Sequence, residues 1–251
     1  MTAMSLLRQI VPPFLWTLAS RARSGRRRER QPPGDYLSWL HSSIPGWLNP
    51  GNVRAFDHCI REMPDGAVVE IGCHAGLSTN AIGHFIARHG RTASFFSADP
   101  WLANPDMPAP LGSGLEPQEW AERQRGFIRD TVDRATRLNS ADRLPHHFEL
   151  LSDAFFAAWQ AHETRTDYFG RRASLGGAIA FAYIDGDHSF EQTWADFSNV
   201  DRHLARGGFV LFDDTGAGWY YGATEAAVRA AALPGYRLVS RAPHYCVQKT
   251  A

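Results

Sequence analysis

From residue 67 onward, short continuous apolar runs alternate with stretches in which apolar residues recur at helical spacing. Ala67-Val68-Val69-Glu70-Ile71 is a run of strand length that ends at a glycine. Leu77, Ala81, Ile82, Phe85 and Ile86 then fall on one helical face, and Gly90 stops that helix. A second strand is predicted over Ala93–Ala98, a helix over roughly 117–138, and a third strand over Phe148–Leu151. A further helix runs through Phe155, Phe156 and Trp159, and residues 164–176, rich in Arg and Gly, read as a loop. Ala178–Ile184 is apolar without interruption, which suits a central strand covered on both faces. Ser189 and Gln192 form a capping box, followed by Phe190, Trp194, Phe197, Val200 and Leu204 at helical spacing. Gly207-Gly208 reads as the end of that helix, Phe209–Phe212 as a fifth strand, 223–232 as a helix, and 236–240 and 244–249 as two last strands.

Five alternations of strand and helix predict an α/β fold: a mostly parallel seven-stranded sheet with helices on both faces. The link Arg241-Ala242-Pro243 is too short for a crossover helix, so the last two strands should run antiparallel. Ahead of the sheet, residues 36–64 carry aromatic and apolar positions between turns at Pro45-Gly46 and Pro50-Gly51. They read as short helices covering the domain. Pro32-Pro33-Gly34-Asp35 reads as a boundary, giving a tail over 1–33 and one domain over 34–251.

Composition narrows the class. Of 251 residues, 44% are hydrophobic and 21% charged, which excludes a disordered chain, a collagen-like repeat and a coiled coil. Cys59, Cys73 and Cys246 are odd in number and far apart, with no CxxC pair. They suit a reducing compartment, the cytoplasm, better than a disulfide framework. The net charge is zero, which argues against a nucleic-acid partner. That balance hides a tail whose seven arginines face one acid, Glu29, within residues 1–30. The apolar stretch Leu6–Leu18 before most of them is too short to span a bilayer and carries Pro12-Pro13. The expectation is a peripheral foot on the inner face of the membrane, with arginines on anionic lipid. The alternative is a solvated or partner-docking arm. Homo-oligomer formation is left open.

Ligands of an open parallel sheet bind at the carboxyl ends of its strands. The first strand ends Glu70-Ile71-Gly72-Cys73-His74-Ala75-Gly76-Leu77-Ser78. Glycines there let backbone approach a ligand, and the helix N-terminus behind them favours negative charge. The fingerprint GxGxxG is absent, with His74 in place of its second glycine, which disfavours a nicotinamide-dependent oxidoreductase. The second strand ends at Asp99-Pro100-Trp101. Asp99 is able to accept hydrogen bonds from ribose hydroxyls, and Trp101 to flank a base. Ser152 and Asp153 follow the third strand and suit either a ligand contact or a helix cap. The fourth and fifth strands end Asp185-Gly186-Asp187-His188 and Asp213-Asp214. Acids at adjacent strand ends repel, so a cation, a basic partner or protonation must offset the cost. The cluster Asp185, Asp213 and Asp214 suits a hard divalent ion with open positions, or else a metal-free cleft with raised pKa values.

The acid with glycines two and six residues later resembles motif I of class I S-adenosylmethionine methyltransferases, which have a Rossmann-like fold with an antiparallel last strand. The segments Ile184–Phe190 and Gly207–Asp214 resemble the metal-dependent branch that includes the macrocin and rhamnosyl O-methyltransferases. The resemblance implies S-adenosyl-L-methionine bound around Glu70, Gly72, Cys73, His74, Gly76, Ser78, Asp99, Trp101, Ser152, Asp153 and Asp185. It implies Mg2+ on Asp185, Asp213 and Asp214, and Asp187 as the base, with His188 as second candidate. It further implies a small-molecule or glycan hydroxyl as acceptor: a sugar or polyol first, a phenolic metabolite next. A non-catalytic cofactor-binding scaffold is a third reading, disfavoured by the intact acid set.

Overall fold

A computed structural model describes residues 36–102, 109–140, 143–216 and 221–251. The expected membrane foot over 1–30 lies outside the described residues. By compactness the chain divides into Met1–Ser38 and Trp39–Ala251. Only the first residues of helix α1 (Tyr36–Ser43) are described in the first unit. The second unit holds the nine strands found among the described residues. Among the described residues no helix is long and apolar enough to cross a membrane.

A seven-stranded sheet forms the centre. Its strands are β1 (Ala67–Ile71), β2 (Phe95–Ala98), β3 (His146–Phe148), β6 (Ile179–Ile184), β7 (Leu204–Phe212), β8 (Tyr236–Ser240) and β9 (Cys246–Lys249). Their order is β3-β2-β1-β6-β7-β9-β8. Pairing is parallel from β3 through β7, and β9 runs antiparallel to both neighbours. This is the expected seven-stranded arrangement, with the last strand of the chain, β9, inserted antiparallel between β7 and the edge strand β8.

Every residue of β1, β2 and β6 is buried, because helices cover both sides. Alternate residues face opposite ways. Val69, Ile71, Ala182, Ile184, Val210 and Phe212 share a core with Phe155 and Trp159 of α5 (Ser152–Gln160), Phe197 of α6 (Phe190–Asp201) and Ala227 of α7 (Gly222–Ala231). On the opposite face Phe56 of α2 (Pro50–Glu62) meets the edges of Phe181 and Tyr183, with ring centroids 6.1 and 4.9 Å apart. Helices α3 (Leu77–Arg88) and α4 (Pro117–Asn139) continue that layer.

Several boundaries differ from expectation. Pro50-Gly51 is the first turn of α2, where Pro lacks an N–H that would be orphaned anyway. Asn49 caps it by accepting from the Gly51 amide at 2.8 Å. The third strand is His146–Phe148, not Phe148–Leu151, and Leu151 is the N-cap position of α5. Residues 164–176 are not a loop. They form a small antiparallel hairpin, β4 (Thr164–Thr166) with β5 (Arg172–Ser174). Gly207-Gly208 does not end a helix: α6 stops at Asp201 and both glycines lie inside β7. The register slips there against β6, so the pair forms a bulge with Gly207 at φ +86. Ser189 caps α6 by accepting from the Gln192 amide at 3.3 Å, but the reciprocal half of the box is missing. The Ser189 amide donates to Asp187 Oδ1 at 2.7 Å, and the Gln192 side chain points to Ser152 and Asp196.

Candidate active site

Two cavities open at the carboxyl ends of the parallel strands and share Gly72, Asp99 and Asp185. The larger, about 430 Å³, holds the acids of β7. The smaller, about 380 Å³, holds Ser152, Asp153 and Asp187.

The wall between them depends on Gly72, which has φ +83 and sits where β1 nearly touches the end of β6. A Cβ there would lie 2.0 Å from the Asp185 carbonyl oxygen. Beyond it the chain turns through His74, itself at φ 44, into Gly76, the left-handed cap residue of α3. Asp99 ties this loop down. Its Oδ2 accepts from the amides of Cys73 and His74 at 2.9 and 2.8 Å, and its Oδ1 accepts from the Trp101 amide at 2.7 Å. A carboxylate offers about four acceptor positions, so Asp99 keeps capacity toward the cleft it lines.

Trp101 is 2% exposed and lines neither cavity. It packs with Cys73, Ile128 and Val132, and its indole N–H donates to the His74 carbonyl at 3.0 Å. Its neighbours Pro100 and Leu102 line the smaller cavity instead. Cys73, His74 and Ser78 line the larger one. Burial pushes the Cys73 thiol up and lowers His74.

Glu70 is buried beneath the loop, on the α3 side, and lines neither cavity. Thr79 Oγ1 donates to its Oε2 at 2.6 Å. Burial raises its pKa from 4.5 to about 7. The neutral acid therefore stabilises the fold fully below pH 4.5, and that contribution is lost as pH rises through 7. Glu70→Gln keeps an acceptor for Thr79 and removes the titration. Relative to the parent, the variant should gain up to about 3 kcal/mol between pH 4.5 and 8. Urea denaturation at the two pH values checks this, and a constant difference between the two proteins refutes it.

Asp185, Asp213 and Asp214 all line the larger cavity. Ligand atoms of Asp185, His188 and Asp214 lie within 4.8 Å of one another, as do those of Asp213, Asp214 and His244. The acids are thus brought together with two histidines, only one of which was expected. Tyr183 Oη donates to Asp185 Oδ2 at 3.1 Å. Asp213 is held from two distant elements: Asn52 of α2 donates to its Oδ1 at 2.5 Å, and His244 Nε2 lies 3.1 Å from the same oxygen. His188 Nε2 lies 3.1 Å from Asp214 Oδ2. Burial, with Asp213 and Asp214 beside it, pushes Asp185 well above the usual carboxylate range. Burial and Asp213 likewise raise Asp214, against the pull of His188 and His244. Like charges held this close are offset by a cation, by the two histidines or by protonation, and oxygen donors around an accessible cavity are the chemistry of a hard divalent ion. The donor set therefore fits Mg2+.

The two expected bases part company. His188 lines the acid cavity, whereas Asp187 is exposed and borders the smaller one. Hydrogen bonds from Ser189 hold the Asp187 carboxyl below its ordinary range. In that smaller cavity Gln192 Nε2 donates to Ser152 Oγ and to Asp196 Oδ1, both at 3.1 Å. Burial pushes Asp196 up to about 6. Asn52, Tyr183, Asp196 and His244 were not singled out from the sequence. Asp196 and Asn52 sit on helix faces where only a polar residue at a buried helical position would have marked them.

A family model described as a methyltransferase domain matches residues 69–215. No curated protein matches the chain. Among solved structures, the O-methyltransferase NovP is 18% identical, covers 80% of this chain and 80% of its own, and gives a TM-score of 0.54. Calicheamicin methyltransferase CalS11 is 15% identical, with 97% and 89% covered and a TM-score of 0.51. An O-methyltransferase from Bacillus cereus, in complex with SAH, is 16% identical, with 88% and 94% covered and a TM-score of 0.51. At these identities the likeness is one of fold.

Proposed function

Because the chain belongs to the methyltransferase-domain family and is a class I S-adenosylmethionine-dependent methyltransferase, we propose that it methylates a hydroxyl of a sugar or other polyol with the help of Mg2+. One observation carries the reading. Asp185, His188 and Asp214 converge within 4.8 Å in the same cavity that is lined by the Gly72–His74 loop.

S-adenosylmethionine supplies a methyl group already activated on a sulfonium, and Mg2+ lowers the pKa of a bound hydroxyl. The rest falls to side chains. Gly72 lets the end of β6 close against β1 and lines both cavities, and Asp99 holds the loop while keeping an acceptor position for ribose. Ser152 and Asp153, joined through Gln192, take the adenine end. Asp185 and Asp214, with Asp213 beside them, are the metal ligands in this reading. Asn52 and His244 keep Asp213 aimed from behind. His188 takes the acceptor proton, since Asp187 lies in the other cavity and its lowered pKa makes it a weaker base. Asp214, 3.1 Å from His188, orients the imidazole and stabilises it once protonated. Holding acceptor and donor in line is the larger part of the task.

Incubation with S-adenosylmethionine, MgCl2 and a panel of sugars, glycosides and catechols, followed by mass spectrometry, tests this. A methylated sugar is expected, with turnover abolished by EDTA and restored by magnesium. Methylation confined to catechols would overturn the acceptor class. Undiminished turnover after exhaustive chelation would remove the metal.

A further inference from the structure

Cys73 lines the larger cavity, whereas the other two cysteines meet outside the candidate active site. Cys59 on α2 and Cys246, the first residue of β9, stand 187 residues apart in sequence, and their sulfurs lie 3.6 Å apart. Both side chains are buried and both are free thiols. They line a cavity of about 320 Å³ between α2, at Arg54 and His58, and the sheet edge, at Val239 and Ser240. That space admits molecules of the size of water or hydrogen peroxide to the thiol pair.

The elements that carry these thiols also hold Asp213. Asn52 lies about two turns before Cys59 on α2 and donates to Asp213 Oδ1 at 2.5 Å. His244, in the link that leads into Cys246, has its Nε2 3.1 Å from the same oxygen. The contact between the two elements has little slack. A Cβ added at Gly51 would lie 2.2 Å from Pro243, so the first turn of α2 is seated on the link between β8 and β9. Any shift of α2 against β9 is therefore felt at Asp213.

We propose that Cys59 and Cys246 are a modification site: a disulfide formed by peroxide and reversed by thiols, which staples α2 to β9 and loosens the hold of Asn52 and His244 on Asp213. The effect at Asp213 rests on the reading of a magnesium site beside it. One sulfur, having lost its proton, attacks a peroxide oxygen. An S–O bond forms, the O–O bond breaks, and hydroxide leaves and takes up the released proton. The other sulfur then attacks the first. The S–S bond forms, the S–O bond breaks, and the sulfenic oxygen leaves as water with the second thiol's proton. The sulfurs give up two electrons and the peroxide becomes two waters. Sulfurs already in contact make the second step intramolecular, so it outruns further oxidation of the first. Burial, with Cys246 beside it, pushes the Cys59 thiol up, so the reduced pair resists brief exposure and responds to sustained oxidant. The sulfurs must close by about 1.5 Å to bond, and α2 and β9 carry that movement to Asn52 and His244. Disulfides in reducing compartments are mostly of this transient, sensing kind.

The full-length protein, treated with hydrogen peroxide under native conditions and then alkylated in urea, is digested without reductant and mapped by mass spectrometry. A peptide linking Cys59 to Cys246 is expected, lost on dithiothreitol, with Cys73 unlinked. The melting temperature should rise by about 5 °C or more on oxidation and return on reduction. Cys59→Ala and Cys246→Ala should each abolish that rise, and mapping of the parent decides even where a variant fails to fold. The magnesium concentration for half-maximal turnover should rise about threefold or more in the oxidised protein and recover with dithiothreitol. Absence of the linked peptide, sulfinic or sulfonic acid in its place, or a rise in melting temperature that survives in both variants overturns the site. A linked protein with an unchanged magnesium requirement overturns the connection to Asp213. Reduced protein that transfers no methyl group would count against the proposed function and leave the linkage and melting results standing.

Discussion

Replacing Asp214 by asparagine should lower kcat by about 10²-fold or more, with the fold and S-adenosylhomocysteine binding preserved. The substitution isolates charge. Asp214 has φ 50, a left-handed conformation that asparagine tolerates nearly as well as any non-glycine residue, and the two side chains match in size. What is lost is an anionic oxygen at the point shared by both groups of potential ligands, Asp185–His188–Asp214 and Asp213–Asp214–His244. It also faces His188 Nε2 at 3.1 Å, so the imidazolium formed on taking a proton loses its counter-charge. Two effects should appear together: a rightward shift in the magnesium concentration for half-maximal turnover, and a reduced kcat even at saturating metal. Steady-state kinetics across a magnesium titration reads both. Activity within about threefold of the parent, a loss too small for a ligand or counter-ion, would show that Asp214 is neither.

Gly72→Ala should be the most damaging small substitution for stability. A methyl group there lies 2.0 Å from the Asp185 carbonyl oxygen and 2.6 Å from its carbon, both backbone atoms that no rotamer change clears. The residue also has φ +83, which costs any L side chain strain in addition. The strands must part at their carboxyl ends, where Gly72 N–H donates to the Ala98 carbonyl and Asp185 N–H to the Ile71 carbonyl, at 2.9 and 2.8 Å. We expect a loss of about 3–5 kcal/mol, on the scale of severe backbone and packing defects. Gly112→Ala is the control: φ is +75 but nothing lies within 4 Å of the added carbon, so only about 1 kcal/mol should be lost. Thermal melts of the two variants decide the matter. Equal losses would mean that backbone strain, not the closeness of β1 to β6, dominates at Gly72.

The strands read best from sequence were those buried on both faces. β1 begins at Ala67 and ends at Ile71, as the apolar run does, because burial on two sides leaves no polar alternation to blur its limits. β6 begins at Ile179, one residue after the start of its apolar run, and ends with it at Ile184. The short Arg241–Pro243 link forced the antiparallel end of the sheet by chain length alone. Where polarity and burial disagree, the pattern misled. β3 opens on His146 and His147, and His147 is fully buried beside Trp101 and Phe169, so a strand hid behind two polar letters. The β4–β5 hairpin is three residues a side and largely exposed, so it carries no apolar signal at all. Gly207-Gly208 announced a break in local terms. In the fold, Gly208 is needed because a Cβ would come within 3.0 Å of the Ala180 carbonyl oxygen on β6.

The carboxylates were visible from sequence because strand ends in a parallel sheet must meet along one edge, and Asp185 and Asp213-Asp214 close adjacent strands. Topology follows from local patterns and short connections, so a linear reading reaches that far. The groups around those acids are a different matter. Asn52 stands 161 residues before Asp213 and His244 follows in the link between β8 and β9, yet both reach the same oxygen. The division of Asp187 and His188 between two cavities turns on one peptide unit and on the Ser189 amide that claims Asp187. Distances of a few ångströms between residues far apart in the chain come from how helices settle on the sheet, a sum of many packing contacts that no local pattern encodes. The chain's order of residues thus determined the sheet, its edge and the acids on that edge, and tertiary packing alone decided which of them line the larger cavity and which histidines join them.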